Sequence, residues 1–435
     1  MIQQSYIALT IGPIYKTLAN AKKPKELFSS SYIFSYIMRE IISKFRDREF
    51  ITPYIKDDSI FDRKSEVGLF HDRFIFESKE NDMDRVKSTI DGVIEDIAEK
   101  LDIDKSAVES YLQLNYGEYH IDRDKNPILE ITPYLDTKEL FYQITQDSSF
   151  ADALRRKKGD RDNFLTHGKK IVDDLKRLCY KKYFCIVHAD GDNMSRAIAD
   201  RDNIEAVSKN LFEYAKESNR KIKEFGGQTI FAGGDDLLFF APVMYEDKSI
   251  FNLCEEISHD FEMKFKGVAT LSFGISIQYI KHPLYEAVET SRNLLFGRAK
   301  NEYKNNIAFS VTKHSGQTFE TIIHKGNREI YKLFLKLTSH IEDGDGVDNF
   351  LHSLHHKIDT HKTTLELISD SEERLTNFFD NYFNKDIHKE YKAFFELLVE
   401  YIHRVYQDDK IEKDEKLNII YATLRFVKFV KGDKQ

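Results

Sequence analysis

Apolar and polar positions along this chain alternate between two periods, and their order spells out a fold. The run Tyr-Phe-Cys-Ile-Val-His-Ala at 183–189 is a short apolar segment of the kind a buried strand needs. Beyond it Ile204, Val207, Leu211, Tyr214, Ala215, Ile222 and Phe225 recur at roughly helical spacing. Two further apolar segments, 229–232 and 237–241, flank a four-residue break. Ile250, Leu253, Cys254, Ile257, Phe261 and Phe265 mark a second helix, and 270–280 alternates as a strand. Strand-helix-strand-strand-helix-strand is the split βαβ, or ferredoxin-like, order. A helix ending in Arg298-Ala-Lys300 and a last strand near 306–312 follow.

The N-terminal half reads less regularly. Residues 6–11 form a short strand, Gly12-Pro13 turns it into a helix, 28–45 is a strongly apolar helical run, and 69–76 is another strand. Helical stretches at 86–101 and 106–114 follow, with polar turns around 122–127 and 159–163. From 321 onward the pattern is helical, through Ile330, Leu333, Leu335 and Leu337, then 379–383, 394–401 and 419–430. Expected boundaries are a first domain over 1–80, a helical linking domain over 81–165, a catalytic domain over 166–318 and a helical bundle over 319–435.

The break between 232 and 237 carries the chemistry. Gly233-Gly234-Asp235-Asp236 puts two carboxylates where a tight hairpin turn belongs, and glycine supplies the positive φ such turns demand. A second acidic turn, Asp190-Gly191-Asp192, is expected straight after the first strand. A helical crossover returns the next strand parallel to the first, so both strands finish at one edge and Asp190 comes beside Asp235 and Asp236. Carboxylates gathered there suit a hard, oxygen-ligated cation, Mg²⁺ or Mn²⁺, and the phosphates it carries. Gly233 and Gly234 are expected to leave room for a nucleotide, Ser272 to contact it, and Arg298 and Lys300 to face triphosphate oxygens. Asp192 is expected to cap the following helix.

At 183–194, 231–240, 271–274 and Ala299-Lys300 the chain resembles the catalytic Palm domain of the large subunit of type III CRISPR effector complexes. Its opening, 6–13, Ala21-Lys-Lys and 27–36, is similar to the first Palm of that family, especially in the type III-B branch. The resemblance implies an α+β chain with two ferredoxin-like, nucleotidyl cyclase-like Palm domains, a helical linker and a C-terminal helical bundle. It implies a metal-dependent nucleotidyltransferase in which a 3′-hydroxyl attacks the α-phosphorus of ATP, with Asp190 and Asp235 as first ligands and Asp236 close behind. The product is expected to be a cyclic oligoadenylate, or AMP joined to S-adenosylmethionine. Asp72, Glu77 and Ser29 to Ser31, Ser30 among them, are candidates for the acceptor side in a first Palm whose acidic turn is degenerate. Implied partners are guide RNA, target RNA and other subunits, including the small helical one, which the C-terminal bundle would meet. His71-Asp72 could be mistaken for a histidine-aspartate nuclease signature, but the further ligands are missing nearby. With the chain starting at the Palm strand, nuclease activity is expected to be absent. The alternatives are a free-standing cyclase related to diguanylate cyclases and a catalytically silent scaffold.

Composition narrows this picture little. Over 435 residues no stretch approaches a membrane span, no signal-peptide pattern opens the chain, and a cytoplasmic protein is expected. Cys179, Cys185 and Cys254 are too scattered for a zinc site or a disulfide framework. The net charge of −8 argues against a protein that coats nucleic acid by itself. The local exception is Arg155-Arg156-Lys157-Lys158, with Lys169-Lys170, Lys176-Arg177 and Lys181-Lys182 after it, either a solvated face or an RNA contact.

Overall fold

The computed structural model describes residues 3–19, 21–62, 67–140, 147–155, 164–166, 169–172, 174–301, 303–339, 347–382 and 391–432. Arg156 to Lys158 of the basic run and the turn at 159–163 lie outside the described residues. The first module is built from β1 (Gln3–Gly12), α1 (Ile14–Leu18), α2 (Pro24–Ser43), β2 (Phe50–Thr52), β3 (Arg73–Glu77), α3 (Asp82–Leu101), α4 (Lys105–Tyr111) and β4 (Gln113–Asp122). Its sheet runs β2-β3-β1-β4, with β1 antiparallel to both neighbours. That is again a split βαβ. Its fourth strand falls inside the stretch expected to be a helical linker, so the first module reaches past residue 80 to Asp122. β4 is mostly half-buried and carries no long apolar run, which hid it from the pattern. α5 (Pro127–Leu140) then covers one face of this sheet through Ile131 and Leu135, and α6 (Ser149–Arg155) packs on the other side.

The second module opens with β5 (Tyr183–Asp192), followed by α7 (Met194–Ala197), α8 (Ile204–Glu224), β6 (Gln228–Gly233), β7 (Asp236–Pro242) and a small hairpin of β8 (Met244–Tyr245) and β9 (Lys248–Ser249). α9 (Ile250–Lys264), β10 (Thr270–Tyr279), α10 (Leu284–Leu294), β11 (Asn306–Thr312) and β12 (Thr318–His324) complete it. The six strands lie in the order β12-β11-β10-β5-β7-β6. β5 and β6 are parallel as the crossover argument requires, with β7 antiparallel between them. Two expectations change here. Asp190-Gly191-Asp192 is no turn: β5 runs to Asp192, which pairs with Thr270. The sheet also extends beyond 318, because Thr318–His324 pairs antiparallel with β11 where a helical pattern was expected from 321.

The remaining chain is helical: α11 (Arg328–Ser339), α12 (Val347–Thr360), α13 (Lys362–Ile368), α14 (Glu372–Tyr382), α15 (Lys392–Gln407) and α16 (Lys413–Gly432). Strand alternation decides how these layers join. On β5 and β7 the residues Cys185, Val187, Ala189, Leu237 and Phe239 face α8, α9 and, through Phe251 and Phe309, the C-terminal bundle. The alternate residues Phe184, Ile186, Leu238 and Phe240 share a core with Phe28, Ile33, Ile37 and Phe74 of the first module. No helix among the described residues is long and apolar enough to cross a membrane.

Candidate active site at the seam of the two modules

Gly233 and Asp236 are paired, leaving Gly234 and Asp235 as a two-residue turn. Gly234 has φ +64°, the conformation that favours glycine as the first turn residue. Gly233 serves a different purpose from the one expected. A Cβ there would lie 2.6 Å from the Phe231 ring and 3.2 Å from His71 Cα, so its space is taken by the protein. The hairpin tip thus packs against the first module, and Ala232 N donates to Gly68 O at 3.3 Å along the same contact. His71 is half-buried, its Nε2 3.0 Å from Thr52 Oγ1, and burial with Arg73 nearby pushes its pKa down to about 4.

Opposite the hairpin, β5 delivers the other acids. Ala189 pairs with Leu237, and one further step of that register brings Asp190 opposite Asp236, on the same face. Gly191 is glycine of necessity: a Cβ would collide with Asp235 Oδ2 and lie 2.8 Å from Asp235 Cβ. Asp235 and Asp236 are both pushed upward, chiefly by burial, and each also by the negative charge of Asp72 across the seam. Asp236 is raised further by Asp235 itself. Burial likewise raises Asp72. The structure therefore brings Asp190, Asp235, Asp236 and Asp72 to one place.

Lys300 answers this negative charge. Its Nζ contacts Asp190 Oδ2, donates to Gly191 O at 2.8 Å and lies 3.8 Å from Asp192 Oδ1. Burial and Lys304 push Lys300 down to about 8, while the touching carboxylate favours its charged form. The side chain arrives there from a π-helical turn over Leu295–Ala299, closed by Lys300 N donating to Leu295 O at 2.9 Å. Such single π turns inside helices concentrate at functional sites.

Several expected roles move. Asp192 caps no helix; its Oδ2 accepts from Thr270 Oγ1 (3.0 Å), Ser272 Oγ (2.8 Å) and Asn305 N (2.9 Å), tying three segments together. Ser272 is fully buried and spent on Asp192, so it supports the site from within the sheet instead of contacting a nucleotide. Arg298 pairs with Glu320 of β12 at 2.6 Å. Glu77 sits at the far end of β3, roughly 16 Å from Asp72 by strand rise, because five residue steps of extended chain lead from one to the other. Ser30 is fully buried inside α2 with no partner for its hydroxyl. Tyr15 and Arg292 were missed: the first stands on α1, the second on α10, and no local period connects them. Gly191 lay inside the acidic motif, where only the spatial neighbour explains it.

The carboxylates of Asp190, Asp235 and Asp236 are the hard oxygen donors that Mg²⁺ or Mn²⁺ takes. Among the described residues no group of three His, Cys, Asp or Glu side chains closes on one point as ligands, and Lys300 holds Asp190. The donor chemistry fits the ion.

Two split βαβ modules sharing a core, with an acidic hairpin at their seam, define a paired-Palm protein. Residues 183–308 match the family model described as Cas10/Cmr2, second palm domain. Residues 6–102 match the model described as CRISPR-associated protein Cmr2, N-terminal. The CRISPR system Cmr subunit Cmr2 of Pyrococcus furiosus is 29% identical over 225 residues, covering 42% of this chain. That alignment spans only 25% of the relative's length. In fold, the chain resembles a type III-B Cmr-beta structure in the apo state (TM-score 0.60, 9% identity, 88% of this chain and 77% of that one). It also resembles a Csm1-Csm4 cassette in complex with pppApA (TM-score 0.54, 12% identity, 98% and 69% covered). The chain belongs with the Cas10-like large subunits of type III CRISPR systems.

Proposed function

We propose that this chain is the nucleotidyltransferase of a type III-B CRISPR effector complex, making a nucleotide second messenger from ATP when target RNA is bound. The observation that carries this reading is the convergence of Asp190, Asp235 and Asp236 of the second module with Asp72 of the first. One nucleotide then lies on the acidic hairpin and the other on the first module, with reacting groups meeting at the seam. Complexes of the related Csm1-Csm4 cassette with pppApA and with cA4 support a product made by joining adenylates. Asp190, Asp235 and Asp236 would hold Mg²⁺ or Mn²⁺, which when bound supplies charge neutralisation for the triphosphate and acidifies the attacking hydroxyl. Lys300, released from Asp190, is placed to meet the triphosphate instead. Asp72 accepts a hydrogen bond from the acceptor nucleotide or from S-adenosylmethionine in its place. Guide RNA, target RNA and the small helical subunit are the partners this reading requires, in the cytoplasm, and the first module's shared core disfavours a lone cyclase.

The test incubates the purified chain, alone and in its complex with target RNA, with Mg²⁺ and labelled ATP, with or without S-adenosylmethionine, followed by mass spectrometry. Cyclic oligoadenylate from ATP alone is the expected product, abolished in Asp235→Ala/Asp236→Ala. Product only with S-adenosylmethionine present identifies a changed acceptor. Turnover without any bound guide RNA favours the free-standing cyclase, and no product in any arm sinks the enzymatic reading.

A further inference from the structure

Arg292 is a seam residue whose chemistry the carboxylates leave unexplained. It projects from α10, one turn before the π-helical segment, and its Cζ lies over the Tyr15 ring at 4.3 Å and 5.7 Å from the Phe296 centroid. No carboxylate stands within ion-pair distance of it among the described residues, and its buried Nε has no hydrogen-bond partner. Desolvating even one guanidinium N–H without a partner is costly, so the arrangement needs a reason. Both flanking rings are partly exposed, Tyr15 at 44% and Phe296 at 43%. Tyr15 belongs to the first module, and its phenol is pushed up to about 12 by burial and by Asp236, against both the charge of Arg292 and a hydrogen bond from it. Arg292 thus sits across the seam, beside the acidic hairpin, held by aromatic faces.

Rings that occupy the faces of a guanidinium leave its in-plane N–H edge for an anion, and that fork matches phosphate oxygens. We propose that Arg292, packed against the rings of Tyr15 and Phe296, binds the phosphate of the nucleotide held at the seam on the first-module side. The inference rests on the seam being a nucleotide site and adds which residue receives the second nucleotide. It also gives the two rings a role that a purely structural stack would not need, since they orient a cation belonging to one module with an aromatic ring of the other.

Equilibrium binding of α,β-methylene-ATP, which cannot react, tests this with Mg²⁺ and the full chain. Wild type is expected to bind two molecules. Arg292→Gln is expected to weaken one of them about 10- to 100-fold, the range for losing hydrogen bonds to a charged group, and leave the other unchanged. Arg292→Lys should recover only part of the loss, because lysine lacks the fork. Tyr15→Phe, which keeps the ring, should bind as wild type does. Tripolyphosphate should compete at the weakened site in wild type and not in Arg292→Gln. Two unaltered sites in Arg292→Gln would overturn the inference while leaving the nucleotide reading intact. Equal weakening of both sites with a lowered melting temperature would also overturn it, since that is the mark of a structural role. Wild type binding no nucleotide would sink the functional reading itself, and this inference with it.

Discussion

Gly191 has no room for a side chain because Asp235 occupies the space, and that one contact sets the spacing of the acidic site. The same reasoning separates two aspartates that look equivalent in Asp190-Gly191-Asp192. Asp192 Oδ2 is saturated by Thr270, Ser272 and Asn305 and works as a structural tie, whereas Asp190 meets the ammonium of Lys300. Gly191→Ala should push Asp235 from its position while the sheet persists. Product formation is expected to fall at least about tenfold, with a stability loss of about 1–3 kcal/mol from overpacking. A product assay beside a thermal melt checks this, and full turnover in a folded variant would show that Asp235 tolerates displacement.

Elements position these residues through close approaches that only the packed structure reveals. A Cβ on Gly274 would lie 2.5 Å from Leu295 N and collide with Ser291 O, so this glycine lets α10 and its π turn lie directly on β10. The π turn then brings Lys300 to the ends of β5 that carry Asp190 and Asp192. In the C-terminal bundle, His355 of α12 accepts from Arg425 Nε at 3.3 Å through Nε2, which requires the neutral ring. Burial, with Arg425 and Lys428 nearby, pushes its pKa from 6.5 down to about 4. The folded chain therefore binds fewer protons than the unfolded one between those values, and the contribution of His355 is lost as pH falls from 6.5 through about 4. Melting temperatures at pH 7, 5.5 and 4.5 should fall more steeply for wild type than for His355→Gln. Parallel slopes for the two proteins would refute this assignment.

Across the whole molecule, one strand pair serves two cores. β5 and β7 give alternate residues to the first module and to the helical half, so neither half is a detachable appendage. The seam is fastened where Gly68 pairs with Phe231 and its carbonyl accepts from Ala232 N. A Cβ on Gly68 would lie 2.8 Å from Ser35 Cβ, so Gly68→Ala must shift either α2 or the seam. Expected outcomes are a loss of about 1–3 kcal/mol in stability and faster hydrogen exchange at 228–236, read by mass spectrometry. Unchanged exchange there would mean that this contact does not hold the hairpin.

The sequence by itself determined the strand and helix order of the second module, the acidic hairpin, Asp190 beside it and the long apolar helix α2. The elements and the hairpin are written in neighbours a few residues apart, as a period of two or 3.6 or as turn chemistry, and the position of Asp190 follows from them by the handedness of the crossover. The half-exposed β4 left no such trace, and β12 is absorbed into the helical pattern that follows it, because so short a run has no sheet partner in the local sequence. Only the tertiary structure decided that His71 backs the hairpin, that Asp192 and Ser272 support the site from inside, and that Tyr15 and Arg292 meet across the seam. Those pairs are far apart in the chain and brought together by the shared core, and contacts of that kind have no local period to betray them.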